Sequence, residues 1–256
     1  MNHQFLVSIT CASLLLVSLG GCRSDEPLLT DLNVNAGKGR VMLNLDLDPS
    51  PMRGPRAAAA RDLAEEVTTD SLTITLTHNL YDIDPTVFNP GEYSDTTQYV
   101  TGPYTVEAMY GDPEAEGWDM PRYYGSQDIV IENQSTTTVD LPVTMDNARI
   151  SLDFSDAFNN YLSDCVVSVS TASGETFDWA EADGRDLYVN PGEISLTVEF
   201  TKPSGLTGEF STSLETESRH AYTIVIDADF QSESLELTFD DTFDEKKIDV
   251  DISDAN

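Results

Sequence analysis

The stretch Gly102–Gly125, GPYTVEAMYGDPEAEGWDMPRYYG, decides how this chain folds. Tyr104, Val106, Ala108 and Tyr110 alternate with Thr105, Glu107 and Met109, and alternation with period two marks a strand buried on one face. After Gly111 the pattern gives way to a turn-rich segment punctuated by Pro113, Gly117, Pro121 and Gly125 and carrying Trp118, Tyr123 and Tyr124. Flat rings stack on sugar faces while neighbouring acids bond hydroxyls, so these three aromatics are the candidate ligand platform. The plainer reading is that they fold back over their own sheet.

The same alternation recurs on both sides. Lys38–Asp48 places Val41, Leu43, Leu45 and Leu47 on one face, and Ser71–Thr77 does so with Leu72, Ile74 and Leu76. Between these two, Pro49, Pro51, Gly54 and Pro55 break the chain, and the alanine-rich run Arg56–Glu66 could form a short helix. Asn79–Thr97 is polar and turn-rich. Asp128–Glu132 and Thr136–Thr144 follow as strands joined across Asn133, Gln134 and Ser135.

Beyond Met145 the style repeats, with expected strands over 148–154, 165–171, 186–189, 193–201, 208–214, 221–230, 234–239 and 247–252. A helical turn is expected over Asp156–Leu162, with Ser155 as its N-cap. Short strands spaced by turns, with no βαβ rhythm, predict an all-β chain of two antiparallel β-sandwich domains, 38–145 and 146–256. A faint internal repeat agrees: Asn89-Pro90-Gly91-Glu92 recurs as Asn190-Pro191-Gly192-Glu193. Separately, the Gly102-started strand resembles the Gly192-started one.

The 256 residues include 13 basic and 46 acidic ones, a net charge of −33, while 39% are hydrophobic. A field of that sign repels phosphate backbones and excludes a nucleic-acid partner. The imbalance lies almost wholly after residue 61, where only seven residues are basic. The first part instead begins with an apolar run, Phe5–Leu19, too short to span a bilayer and followed by small residues. Leu19-Gly20-Gly21-Cys22 resembles a bacterial lipobox, which makes 1–21 a lipoprotein signal peptide and Cys22 the lipidated N-terminus of the mature chain. The n-region departs from the pattern, since it has His3 and no Lys or Arg. Residues 22–37 then form a polar tether holding the protein to the membrane by its lipid. Ser24, Asp25 and Glu26 resemble the signal that exports Bacteroidota lipoproteins to the cell surface, so the expected location is the outer membrane, facing outward.

A family resemblance rests on several of these features together. They are the lipobox, the first strand near Arg40, GPYTVEAMYGD with its Trp and Tyr-Tyr-Gly sequel, Asn147-Ala148-Arg149-Ile150, and HAYTIVIDAD followed by LELTFDD. The chain resembles the two-domain lipoproteins of Bacteroidales known as domain of unknown function 4493, over roughly residues 38–252. Those proteins are similar to fimbrillins, whose domains are transthyretin-like sandwiches. The resemblance implies a structural or adhesive surface role and supplies no catalytic residues. It also implies a fimbrial alternative, in which an arginine-specific protease removes the first strand and another subunit's strand fills the groove. Arg53, Arg56 and Arg61 stand where such cleavage would act, although arginines in a surface loop also simply offset acidic neighbours. Pilus proteins, other surface proteins and glycans are thus the expected partners.

Catalytic chemistry finds little footing. No Gly-x-Ser-x-Gly elbow occurs, and after the signal peptide only His78 and His220 remain, each at a strand edge. Zinc or iron would need clustered His or Cys, and no such cluster occurs. Cys165, in the run Cys165, Val167, Val169, reads as a small buried apolar residue. Calcium is the one cation the acidic pairs could serve, at Asp82 and Asp84, Asp227 and Asp229, Asp240 and Asp241, or Asp249 and Asp251. In a strand, however, an Asp-x-Asp pair simply marks the outward face, and no EF-hand loop is present. The expectation is a non-enzyme without a cofactor.

Overall fold

A computed structural model describes residues 37–48, 67–180, 184–229, 234–240 and 246–251. The expected signal peptide, Cys22, Ser24, Asp25 and Glu26 lie outside the described residues, as do Arg53, Arg56, Arg61 and the alanine-rich run.

The first half opens with β1 (Lys38–Asp48), β2 (Thr73–His78), β3 (Thr86–Phe88), β4 (Tyr99–Val100) and β5 (Gly102–Tyr110). It continues with β6 (Gly117–Trp118), β7 (Tyr123–Ile131) and β8 (Thr136–Met145). The second half holds β9 (Ala148–Phe154), α1 (Asp156–Tyr161), β10 (Ser163–Ser170), β11 (Thr176–Ala180) and β12 (Leu187–Val189). After these come β13 (Gly192–Thr201), β14 (Thr207–Thr216), β15 (Ala221–Asp229), β16 (Ser234–Asp240) and β17 (Lys246–Asp251). The chain is all-β, as its alternation predicts. Ser155 caps α1 as expected, its hydroxyl accepting from the Phe158 N–H at 3.0 Å.

Three expectations shift. Ser71 does not start a strand but ends a 3-10 turn, Thr69–Ser71, which Thr68 and Ser71 close as a capping box. Tyr123 and Tyr124 are not turn residues: they begin β7, five residues ahead of the expected start at Asp128. Among the described residues the ladders are antiparallel except two, β1 with β8 and β9 with β15, which run parallel. Parallel neighbours require a long crossover, and here each crossover is most of a half-chain.

The strands form sheets of order β3-β2-β5-β7-β8-β1-β4, β11-β10-β13-β14 and β17-β16-β15-β9-β12-β6. Set side by side, β1, β2, β3, β4, β5, β7 and β8 pair among themselves as β9, β10, β11, β12, β13, β14 and β15 do, except that β7 joins β8. That join is two residue pairs long, Tyr123 with Met145 and Tyr124 with Thr144. The internal repeat is therefore one of topology. Gly102 and Gly192 both open their strands at φ +145°, a conformation that favours glycine. The recurring Asn-Pro-Gly-Glu is a coincidence of turn formers. Its first copy is a turn closed by the Glu92 N–H on the Asn89 carbonyl at 2.9 Å, with Gly91 at φ +74°. Its second copy runs directly into β13.

Two apolar cores result. The first gathers Val41, Leu72, Ile74, Leu76, Val106, Ile131, Leu141 and Val143; the second gathers Ile150, Phe158, Val167, Trp179, Ile194, Leu196 and Ile224. Each fully buried aliphatic side chain contributes about 1.5–3 kcal/mol. Cys165 is buried in the second core, as its place in the alternating run predicts.

Candidate functional site

The connection between β5 and β7 has no counterpart in the second half, where β13 passes to β14 through a short turn. Residues 111–122 cross to the second half instead. Asp112 starts the excursion as a turn, its carboxylate accepting from the Glu114 N–H at 2.9 Å. Glu116 then accepts from the Asn190 N–H at 2.7 Å, the Thr171 hydroxyl at 2.7 Å and the Ser173 hydroxyl at 2.5 Å. Gly117 and Trp118 add β6 to the edge of β12, opposite Tyr188 and Leu187. Asp119, at φ +54°, turns the chain back while its N–H donates to the Asp186 carbonyl at 2.8 Å.

Arg122 ends the excursion. It is 6% exposed. Its Nε donates to Asp146 Oδ2 at 2.9 Å, and its Nη1 donates to the Pro113 carbonyl at 2.6 Å and to Asn190 Oδ1 at 2.7 Å. Asn147, fully buried, accepts from the Arg122 N–H at 3.2 Å and donates to the Met120 carbonyl at 3.0 Å. A buried cation is tolerated when it is paired and hydrogen-bonded, and Arg122 is bonded through Nε and Nη1 to groups from both halves.

The candidate platform is not assembled. Trp118 packs into the second core, edge-on to Trp179 at 4.6 Å, with the Arg185 guanidinium 4.4 Å above its ring. Tyr123, at 3% exposure, lies in the first core. Tyr124 faces the other side of the sheet and donates to Glu107 Oε1 at 2.7 Å. Successive residues of a strand point to opposite faces, so Tyr123 and Tyr124 cannot share one surface. Trp118 goes to the far core because β6 pairs there.

The cores also exchange side chains. Trp118 belongs to the first half and packs on the second core, whereas Tyr188 belongs to the second half and completes the first. β12 is buried on both faces, which accounts for its unbroken apolar run Leu187, Tyr188, Val189. The arrangement is a clasp. Arg149, also buried, lies beside Tyr123 and Tyr188. Its charge favours their ionised forms, yet burial outweighs it and both hydroxyls are pushed up.

Burial likewise raises Tyr99 and Tyr104 and pushes Tyr93 up to about 12. A folded-state value above the unfolded 10.0 leaves stability intact below pH 10 and removes it as pH climbs through the folded values. In an alkaline titration followed by tyrosinate absorbance, the buried tyrosines should therefore ionise late and together with loss of circular dichroism. Smooth titration of all ten tyrosines about the ordinary value, with the fold intact, would contradict this burial.

Both histidines contact backbone groups through Nδ1. His78 Nδ1 accepts from the N–H groups of Leu80 and Tyr81, each at 3.1 Å, and its ring lies against Tyr104 and the α-carbon of Gly102. His220 sits in the turn before β15, its Nδ1 2.9 Å from the Ser218 carbonyl. Among the described residues no group of three His, Cys, Asp or Glu is arranged to hold a metal ion. Glu116, Arg122, Asn147 and Asn190 carry the clasp, and their sequence did not single them out for it. One signal was present: Arg122 is one of seven basic residues after residue 61, and it stands in an aromatic stretch.

A family profile described as Domain of unknown function (DUF4493) matches residues 37–254. No curated protein matches the sequence. Among solved structures, a candidate polysaccharide-binding protein from Bacteroides thetaiotaomicron is similar at 9% identity, covering 82% of this chain and 98% of that one, with a TM-score of 0.44. A candidate cell adhesion protein from Bacteroides ovatus is similar at 13% identity, covering 84% and 99%, with a TM-score of 0.42. The fimbrial anchor protein Mfa2 of Porphyromonas gingivalis is similar at 9% identity, covering 82% and 99%, with a TM-score of 0.39.

Proposed function

The chain belongs to the DUF4493 family, and from that premise we propose that it is a surface-exposed outer-membrane lipoprotein with a structural or adhesive, non-catalytic role. In this reading Cys22 carries the lipid and Ser24, Asp25 and Glu26 direct export. The observation that supports it is the clasp. Two sandwich units, with the proposed boundary near Met145, are held by a buried guanidinium and by exchanged side chains, so they transmit force as one body. A site that opens and closes for turnover would be served by the opposite arrangement, a mobile joint.

Protease shaving of intact cells tests the location. The protein should disappear from shaved cells, and Cys22→Ser should move it out of the membrane fraction. Survival of the wild-type protein on shaved, intact cells would remove the surface assignment.

A second reading, a fimbrial subunit or anchor assembled by strand exchange, is favoured by β1. Leu43 and Leu45 are only half buried there and border an open cavity of about 240 Å³ shared with Leu72, Ile74 and Tyr93. Removing β1 after cleavage at Arg53, Arg56 or Arg61 would extend that cavity into a groove beside β8. Ladders on a gel after arginine-specific cleavage would support it, and a monomer unchanged after nicking would count against it.

A further inference from the structure

The head of β1 holds a second candidate site, independent of the clasp and of the role proposed above. Lys38 and Arg40 are both exposed and lie two residues apart, so their side chains leave the same face of the strand about 7 Å from each other. β1 is fixed there on both sides. Lys38 and Gly39 pair with Val100 and Tyr99 of β4, and Arg40 pairs with Thr136 of β8. The Gln134 N–H donates to the Lys38 carbonyl at 2.8 Å, and the Arg40 N–H donates to the Ser135 carbonyl at 2.9 Å.

Two glycines let the β7–β8 turn close on the strand. A Cβ on Gly37 would stand 2.2 Å from Asn133 Oδ1, and one on Gly39 would stand 2.3 Å from the Glu132 carbonyl. The Asn133 carboxamide thus lies close against Gly37. The outcome is an open pocket of about 390 Å³, whose lining includes Lys38, Arg40, Gln98, Asn133, Gln134 and Ser135. Small-molecule sites span about 300–1,000 Å³.

Charge makes this pocket unusual in a chain of net −33. Among the described residues, Arg122 pairs with Asp146, Arg219 pairs with Asp48 and Arg185 lies over Trp118, while Arg149 is buried in the core. Lys38 and Arg40 pair with no carboxylate among the described residues. Two adjacent like charges repel, and an anion seated between them relieves that repulsion while bonding to both. The three carboxamides each offer a donor and an acceptor, the complement of a sugar's hydroxyl groups.

We propose that this pocket binds an anionic saccharide, its acidic group between Lys38 and Arg40 and its hydroxyls on Gln98, Asn133 and Gln134. Titration calorimetry on the full chain tests it, with trigalacturonate as the probe and neutral galactotriose, inorganic phosphate and phosphatidylglycerol vesicles as comparisons. Trigalacturonate should bind, more weakly as salt rises. Replacing both cations, Lys38→Gln with Arg40→Gln, should weaken it about tenfold or more, the worth of a hydrogen bond to a charged group. Both side chains are exposed, so the variant should keep its melting temperature. Gln98→Ala, a second variant, should weaken trigalacturonate and leave phosphate unchanged. The proposal is overturned by absence of trigalacturonate binding or by equal binding of galactotriose. It is also overturned by phosphate binding as tightly as the sugar acid, or by vesicle binding without trigalacturonate binding.

Discussion

Arg122→Ala should lower the unfolding free energy by about 3–5 kcal/mol, the usual cost of breaking a buried ion pair by removing one partner. The side chain is 8% exposed, and its loss would strand Asn190 Oδ1 and the Pro113 carbonyl without their donor. Asp146, at 40% exposure, can turn to water, which places the expected cost toward the lower end of that range. The more telling readout is cooperativity. Both tryptophans, Trp118 and Trp179, belong to the second core, so tryptophan fluorescence reports on that half while circular dichroism reports on all strands. In the wild type the two transitions should coincide; in Arg122→Ala the fluorescence transition should separate from the dichroism transition. A single coincident transition, shifted by less than about 1 kcal/mol, would mean that Arg122 does not hold the halves together.

Trp179→Ala should cost a comparable ~3–5 kcal/mol, because a large ring is replaced by a cavity in a packed interior. Trp179 is fully buried, and its Nε1 donates to the Arg185 carbonyl at 3.3 Å. Its neighbour Trp118 lies in the other half of the chain, so the two rings form a test of the exchange between cores. Trp118→Ala should destabilise the second half although the residue precedes β7, and the double variant should lose less than the sum of the singles, since the rings share one contact. Strict additivity, measured by urea denaturation, would show that the edge-to-face contact carries no coupling.

Much of this fold was legible. Lys38–Asp48, the Gly102 strand and Ala148–Phe154 have the bounds that alternation predicts, and the inward faces, such as Leu72, Ile74 and Leu76, are the buried ones. The cap at Ser155 was equally plain, because an N-cap is a local bond between residues three apart. What escaped was short or remote. β3, β4 and β6 have two or three residues, too few to show a period. β11 was missed although it carries Trp179.

The candidate sites divide the same way. Trp118, Tyr123 and Tyr124 were picked by residue type, which says what a side chain can bind but not which surface it reaches. The sequence does not single out Arg122, and only its burial among Asp146, Asn190 and Pro113 distinguishes it. Lys38 and Arg40 were seen as part of a strand; that they meet three carboxamides depends on the β7–β8 turn and on the residue ahead of β4.

The sequence by itself determined that this is an all-β chain, which faces of its strands turn inward, and how the short helix α1 starts. Those properties depend on neighbours a few residues away, and period two records them directly. Only the tertiary structure decided that β1 runs parallel to β8, that β6 leaves its own half for β12, and that Trp118 and Tyr188 trade cores. Each of these joins segments tens of residues apart or more, and a ladder forms with whichever strand the folded chain brings alongside. For Gly102–Gly125 the alternation therefore fixed the strand, and long-range pairing alone turned its aromatic end into a clasp between the two apolar cores.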